Sequence, residues 1–279
     1  MDDVSSSVFN SRNEKEIKFI YLMKDFTFDM YKELLEAGRS AGYCICCYQK
    51  FLTRKIVSKR IIILRHDVDK SPSNSLKTAK LENELGIQAT YYFRISKRSF
   101  NKSIVKDIVK LGHEIGYHYE DLANAKGNYQ RAICSFETNL NKLRQFYPVN
   151  TICMHGSPLS KWDNLLLWEK YDYKDYGIIG EPFFDIKPNE LLYLTDTGRK
   201  WNCSYSNLRD LIDAQDNVNI KSTQELIDVI KREKFPKKLM INTHPQRWSN
   251  EAIFWYKEFV FQNFKNVIKR LIKTYGKRH

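Results

Sequence analysis

The sequence predicts an α/β protein built on a parallel sheet, and three observations predict it. Ile61-Ile62-Ile63-Leu64 is apolar without polar alternation, the pattern of a strand buried on both faces. Strand-like and helix-like stretches alternate at short intervals after it, as right-handed βαβ units require. Ionisable residues fall where these strands stop, and in open α/β sheets and α/β barrels chemistry sits beyond the carboxyl ends of the strands.

Residues 1–16 are polar and are expected to be poorly ordered. Residues 17–279 show no internal repeat, low-complexity segment or clear linker, so they are read as one domain. Phe28, Met30, Tyr31, Leu34 and Leu35 at helical spacing predict a helix over 26–37, ended at Gly38. The aromatic, cysteine-rich stretch 43–51 reads as a strand or the entry into one. The buried strand 61–66 is broken by Ser71-Pro72-Ser73. A helix capped by Ser73 or Asn74 follows, with Leu76, Ala79, Leu81 and Leu85 on its apolar face, and stops at Gly86. Next come a strand over 89–95, a helix over 102–111 closed by Gly112, and a strand over 113–119. A longer helix covers 129–147, before Pro148, and a strand covers 151–154. Residues 176–179 and 191–194 read as short strands, 222–232 as a helix and 238–243 as the last strand. A final amphipathic helix runs over 248–275.

With 279 residues and 42% hydrophobic content, the chain has material for a full core. No stretch approaches the roughly 20 apolar residues of a membrane span. The start, Met1-Asp2-Asp3-Val4-Ser5-Ser6-Ser7, lacks an apolar signal core, which predicts a cytoplasmic protein. Cys44, Cys46 and Cys47 have no matching second half for a zinc site, so they are read as buried thiols. The net charge of +13 predicts an anionic partner. No nucleic-acid motif of defined spacing is present, and nucleic acid is not expected. That leaves an anionic substrate, such as a nucleotide- or lipid-linked sugar, and peripheral contact with an anionic membrane. The sequence leaves the oligomeric state open.

The pentapeptide Arg65-His66-Asp67-Val68-Asp69 ends the buried strand. Carboxylates at i and i+2 of a strand point to one side, roughly 7 Å apart along the chain. One can hold a cation while the other takes a proton. Other strand ends present His118 with Glu120, His155, and His244; with His66, four of the six histidines lie in or beside strand ends. Imidazole plus carboxylate is a common zinc set, so a divalent metal site is expected here. Its chemistry needs ligands, a carboxylate base for water and an imidazole acid for the leaving group. Trp162, Glu181, Asp185, Asp196-Thr197-Gly198-Arg199 and Trp201 lie near the expected mouth. Asp-Thr-Gly-Arg has turn chemistry. Its functional alternative is a substrate rim, with Trp162 and Trp201 stacking on sugar faces and Arg199 meeting an anionic group.

These stretches resemble the polysaccharide deacetylases, the NodB-homology or carbohydrate esterase 4 group. Asp67-Val68-Asp69 is similar to the family's first motif, Gly86 to Phe93 to its second strand, and Gly112-His113-Glu114-Ile115-Gly116-Tyr117-His118 to its Gly-His-Glu-Ile-Gly-x-His. Asn242-Thr243-His244-Pro245 is similar to its last motif. The resemblance is specific over residues 61–120 and thin afterwards. It implies a distorted (β/α) barrel of about seven strands, and a metal-dependent hydrolase that removes an acyl group, N-acetyl foremost, from a sugar or related amide; the missing export signal and the charge point to a precursor in surface-polysaccharide synthesis as that substrate. The resemblance implies Asp67 as base, His244 as acid, and Asp69 and His118 as metal ligands, while His113 falls on a position that is not a ligand. The family's second histidine ligand is replaced by Leu122, and its Arg-x-Pro motif is missing. Met154-His155-Gly156-Ser157-Pro158 stands roughly where that motif should be, so His155 could supply the third ligand; it ranks above Glu120 because a neutral imidazole suits zinc and lies at a strand end, and either could instead be a substrate contact. The same departures leave a rival reading, a degenerate barrel that binds carbohydrate or a partner enzyme without hydrolysis.

Overall fold

In a computed structural model of the chain, the described residues are 25–157, 160–186, 191–204, 220–233 and 235–275. The expected disordered segment 1–16 lies outside them. One sheet contains β1 (Cys44–Cys46), β2 (Ile61–Val68), β3 (Thr90–Phe93), β4 (Glu114–Tyr119), β5 (Ile152–Met154), β6 (Leu192–Thr195), β7 (Asn202–Ser204) and β8 (Lys238–Thr243). Its order is β5-β4-β3-β2-β8-β6-β7, with β1 also on β2. Every pairing between these strands is parallel except β6 with β7. β1 pairs with Ile61–Ile63 and β3 with Arg65–Val68, so the two pair with successive halves of β2. The result is a distorted, open (β/α) barrel, as expected.

Side-chain alternation along β2 sorts the barrel into an inside and an outside. Ile62, Leu64 and Val68 join the large outer core under the helices. Ile61 and Ile63 join a smaller cluster with Cys46, Tyr48, Leu191 and Met240. Phe51 and Leu52 pack on that cluster, so the short helix Tyr48–Leu52 plugs the barrel at the amino ends of the strands. Of the stretch 43–51, expected as a strand or the entry into one, only Cys44–Cys46 is strand, because the chain leaves the sheet after Cys46. The Tyr48 amide donates to Thr90 Oγ1 (2.8 Å) and the Gln49 amide to Glu114 Oε2 (2.9 Å), which satisfies N–H groups a helix start leaves open.

Gly116 is set by close approach. A Cβ there would lie 2.3 Å from the Tyr92 ring, so only glycine lets Tyr92 cross the barrel. The strand expected over 176–179 is also corrected. Asp172 caps a 3-10 turn over Tyr173–Tyr176, Gly177 ends it at φ 69°, and only Gly180 bridges to Thr151. The helix Pro72–Glu84 opens on its proline, and neither Ser73 nor Asn74 caps it. Asn74 instead donates to the carbonyls of Trp248 (3.0 Å) and Pro245 (3.3 Å).

On the outer side of β2 the fully buried Glu82 gathers a polar knot. His66 Nε2 lies 2.7 Å from Glu82 Oε1, the Tyr31 hydroxyl donates to that same oxygen, and the Tyr91 hydroxyl donates to Oε2 at 2.6 Å. His66 Nδ1 meets Thr243 Oγ1 at 2.7 Å, joining β2 to β8. A buried carboxylate costs several kcal/mol unless such partners replace water.

Candidate metal centre and active site

β2 carries its inward residues upward from the plug: Ile63, then Arg65, then Asp67, with Asp69 just past the strand end. The Arg65 guanidinium is buried and its Nη2 donates to both Asp67 oxygens, at 2.8 and 3.0 Å. Asn242 on β8 donates to Asp67 Oδ2 at 2.8 Å. Burial pushes the Asp67 carboxyl up, but Arg65 with His118 and His244 outweighs it and holds the group ionised, well below the usual carboxylate range.

Asp69, His118 and His155 converge. Asp69 Oδ1 lies 3.7 Å from His118 Nε2 and 3.4 Å from His155 Nε2, and the two imidazoles meet at 87°. The other nitrogen of each ring is already engaged. His118 Nδ1 donates to the Cys153 carbonyl of neighbouring β5 (2.9 Å), and His155 Nδ1 lies 3.1 Å from Glu120 Oε2. Each Nε2 is thereby turned inward with its lone pair, the arrangement that metal-ligating histidines show. Burial pushes His118 down to about 4, so the imidazole is neutral at pH 7. Asp69 Oδ1 is buried with no hydrogen-bond donor, an orphaned charge that a cation would satisfy. The three ligand atoms fit a divalent ion.

Asp67, His118 and Cys153 form an overlapping trio. It suits a cation less well, because Asp67 is spoken for by Arg65 and Asn242. Burial also pushes the Cys153 thiol far above its ordinary value, away from the thiolate a metal needs.

Across the mouth, His244 Nδ1 lies 2.6 Å from Asp196 Oδ1, and its Nε2 lies 3.9 Å from Asp69 Oδ2. Asp196 also accepts from the His244 amide (3.0 Å), Arg247 Nη1 (2.6 Å) and the Trp248 indole (2.8 Å). Burial alone would raise Asp196; Arg247 and His244 bring it to about 2. Gln246 Nε2 donates to Asp69 Oδ2 at 3.2 Å, on the side away from the orphaned oxygen.

The other expected site residues fall elsewhere. Glu120 is not aimed at Asp69; Arg94 Nη2 grips both its oxygens at 2.7 Å, and its Oε2 faces His155. Burial raises Glu120, and His155 with Arg94 lowers it to about 2. Trp162 lines an open cleft of about 700 Å³ with Arg94, Lys126, His155 and Lys161. Arg199 and Trp201, expected on the rim, are instead packed inside: Arg199 against Trp255 and Phe259 of the helix Ala252–Tyr275, and Trp201 against Phe26 and Trp248. Arg199 lies 4.5 Å over the Trp255 ring and donates to the Arg247 carbonyl, while Trp201 is 4% exposed with its indole N–H on Thr223. Their aromatic and cationic character is used on core partners rather than on open surface.

The sequence gives no sign of the roles of Arg65 and Gln246, and it places Asp196 near the mouth without pairing it with His244. Asp196 follows β6, and a carboxylate after a strand is the same signal that drew attention to Asp69. Arg65 shares the parity of Asp67 along β2, so its inward direction was legible although its partner was not.

No family model matches the chain, and no curated protein matches it. Among solved structures it is similar to a CE4 esterase from Streptococcus mutans, at 15% identity over 82% of this chain and 87% of that one, with a TM-score of 0.44. It is similar to the peptidoglycan deacetylase PdaC from Bacillus subtilis, at 12% identity over 78% of this chain and 100% of that one, TM-score 0.37. It is also similar to the Xyl-CE4 domain of a multidomain xylanase from the hindgut metagenome of Trinervitermes trinervoides, at 15% identity over 78% and 92%, TM-score 0.38. These likenesses assign no role to any residue here.

Proposed function

We propose that the protein is a metal-dependent hydrolase that removes an acyl group, N-acetyl foremost, from an amino sugar. The observation that carries this reading is the convergence of Asp69, His118 and His155 around an orphaned carboxylate oxygen, beside two separate proton-handling groups, Asp67 and His244. Asp69, His118 and His155 would hold the ion, zinc being the best match to two imidazoles and a carboxylate. When bound, it supplies a Lewis acid for the carbonyl and lowers the pKa of water.

The chain's own residues do the rest. Asp67, ionised and fixed by Arg65 and Asn242, takes the proton from the attacking water. His244 delivers a proton from Nε2 to the departing amine, and Asp196 opposite Nδ1 stabilises the imidazolium that this requires. Arg94 and Glu120 orient His155. The cleft beside His155 carries Lys126, Lys161 and Trp162. A ring face for sugar next to cations supports a nucleotide- or lipid-linked amino sugar as substrate, in surface-polysaccharide synthesis.

The test is elemental analysis of the purified protein, followed by acetate release from N-acetylated nucleotide and lipid-linked sugars. Near-stoichiometric metal that disappears in His118→Ala, and turnover that disappears in Asp67→Asn while metal stays, is the expected result. A protein that takes up no metal after reconstitution, or whose Asp67→Asn variant loses it, overturns the reading.

A further inference from the structure

Seven of the ten large apolar side chains exposed among the described residues lie on one helix, Ala252–Tyr275. Ile253, Tyr256, Val260, Phe264 and Val267 are 74%, 56%, 48%, 63% and 54% exposed. Phe254 and Phe261 flank them. At 3.6 residues per turn these positions spread over about 160° of the helix, far wider than a coiled-coil seam. The opposite side packs on the barrel through Trp255, Glu258 and Gln262, which are buried. A patch this large on a water-facing surface marks a docking site.

Charge decides the occupant. The helix carries five basic residues, Lys257, Lys265, Lys269, Arg270 and Lys273, against one acid, Glu258. That acid is turned inward onto Lys70 at 2.7 Å. Lys257 and Lys265 are exposed on or beside the apolar arc. A two-fold pairing of this helix with a second copy would set five basic residues against five more, with Glu258, held by Lys70, the one acid in each helix sequence, inside a chain of net charge +13. An anionic surface with an apolar interior satisfies both features.

The placement of the helix adds a consequence. Its Glu258 holds Lys70, next to Asp69, and its Asn266 donates to the Gly198 carbonyl (3.0 Å), two residues from Asp196. The helix therefore lies along the rim formed by the carboxyl ends of β2 and β6, where the candidate site opens. We propose that this helix docks the protein on an anionic phospholipid surface, with the mouth of the barrel beside that surface.

The test is co-sedimentation with vesicles of phosphatidylcholine alone and of phosphatidylcholine with phosphatidylglycerol. Turnover is not needed for the readout, so its outcome stands apart from that of the proposed hydrolysis. The full chain is expected to bind the anionic vesicles, to bind neutral ones far less, and to be released by salt. Removing two charges in Lys257→Gln with Lys265→Gln is expected to weaken partitioning by about thirtyfold. Val260→Ser with Phe264→Ser, at exposed positions that leave the packed side intact, is expected to abolish it with an unchanged thermal melt. Absent binding, or equal binding to both vesicle types, overturns the proposal. So does a dimer in analytical ultracentrifugation that the Val260→Ser, Phe264→Ser variant dissociates while vesicles remain unbound.

Discussion

Glu120 Oε2 meets His155 Nδ1 at 3.1 Å and leaves the other ring nitrogen facing Asp69. Glu120 thus supports the candidate centre from outside it. Replacing such a partner typically costs 10–100-fold in metal affinity. Glu120→Gln is expected to weaken zinc binding by about that factor in a chelator competition, and His155→Ala to weaken it much further. Equal losses in the two variants would make Glu120 a ligand.

Arg65 and Asp67 are a buried ion pair on a single strand. Removing the cation leaves an uncompensated carboxylate, a change that costs about 3–5 kcal/mol. Arg65→Met is expected to lower stability by that order in urea unfolding. Adding Asp67→Asn should restore part of it, because the stranded charge goes with it. Additive losses in the double variant would show that the pair does not couple.

His244 relies on Asp196 for its orientation. Asp196→Asn is expected to reduce kcat by about 10²–10⁴ while metal content stays unchanged, since the imidazole loses both its fixed direction and the charge that stabilises its cation. Unchanged kcat would remove His244 from proton transfer.

The outer face of the sheet predicts an acid sensitivity. His113 Nε2 donates to the Ala79 carbonyl (2.9 Å) and Nδ1 accepts from the Ala89 amide (3.2 Å), so the neutral ring uses both nitrogens. Burial pushes His113 below its ordinary 6.5. As pH falls through 6.5 the unfolded chain takes up a proton that the folded one refuses. Stability is therefore greatest above that value and declines below it, by up to ~1.4 kcal/mol per pH unit. Glu82, also lowered, adds a loss of the same sign below 4.5. His113→Gln should flatten the upper part of the decline relative to wild type, as read from urea midpoints between about pH 5 and 7. An identical slope in the variant would contradict the assignment.

Much of this architecture is legible in local pattern. The unbroken run Ile61–Leu64 marks the central strand, and the parity of Asp67 and Asp69 gives their shared direction. Imidazole chemistry at the end of a strand ranks His155 ahead of Glu120, the order in which the two stand relative to Asp69. What pattern could not supply is partnership between distant segments. Asp196 lies 48 residues from His244, and only the pairing of β6 with β8 brings them together. Asp-Thr-Gly-Arg reads as a turn because Gly198 and Arg199 do adopt positive φ, and that local truth conceals the role of its first residue. Arg199 and Trp201 have the chemistry of a sugar rim, but Trp255 and Phe259 of the last helix engage the first, and Phe26, Trp248 and Thr223 engage the second. The helix Tyr48–Leu52 escaped notice because its aromatic residues have strand propensity and its cap comes from Thr90 and Glu114, far away in sequence.

That helix also closes one end of the barrel. With the amino ends of the strands filled, the opposite end, where Asp69 Oδ2 and His244 Nε2 lie 3.9 Å apart, is the side from which the candidate site can be reached.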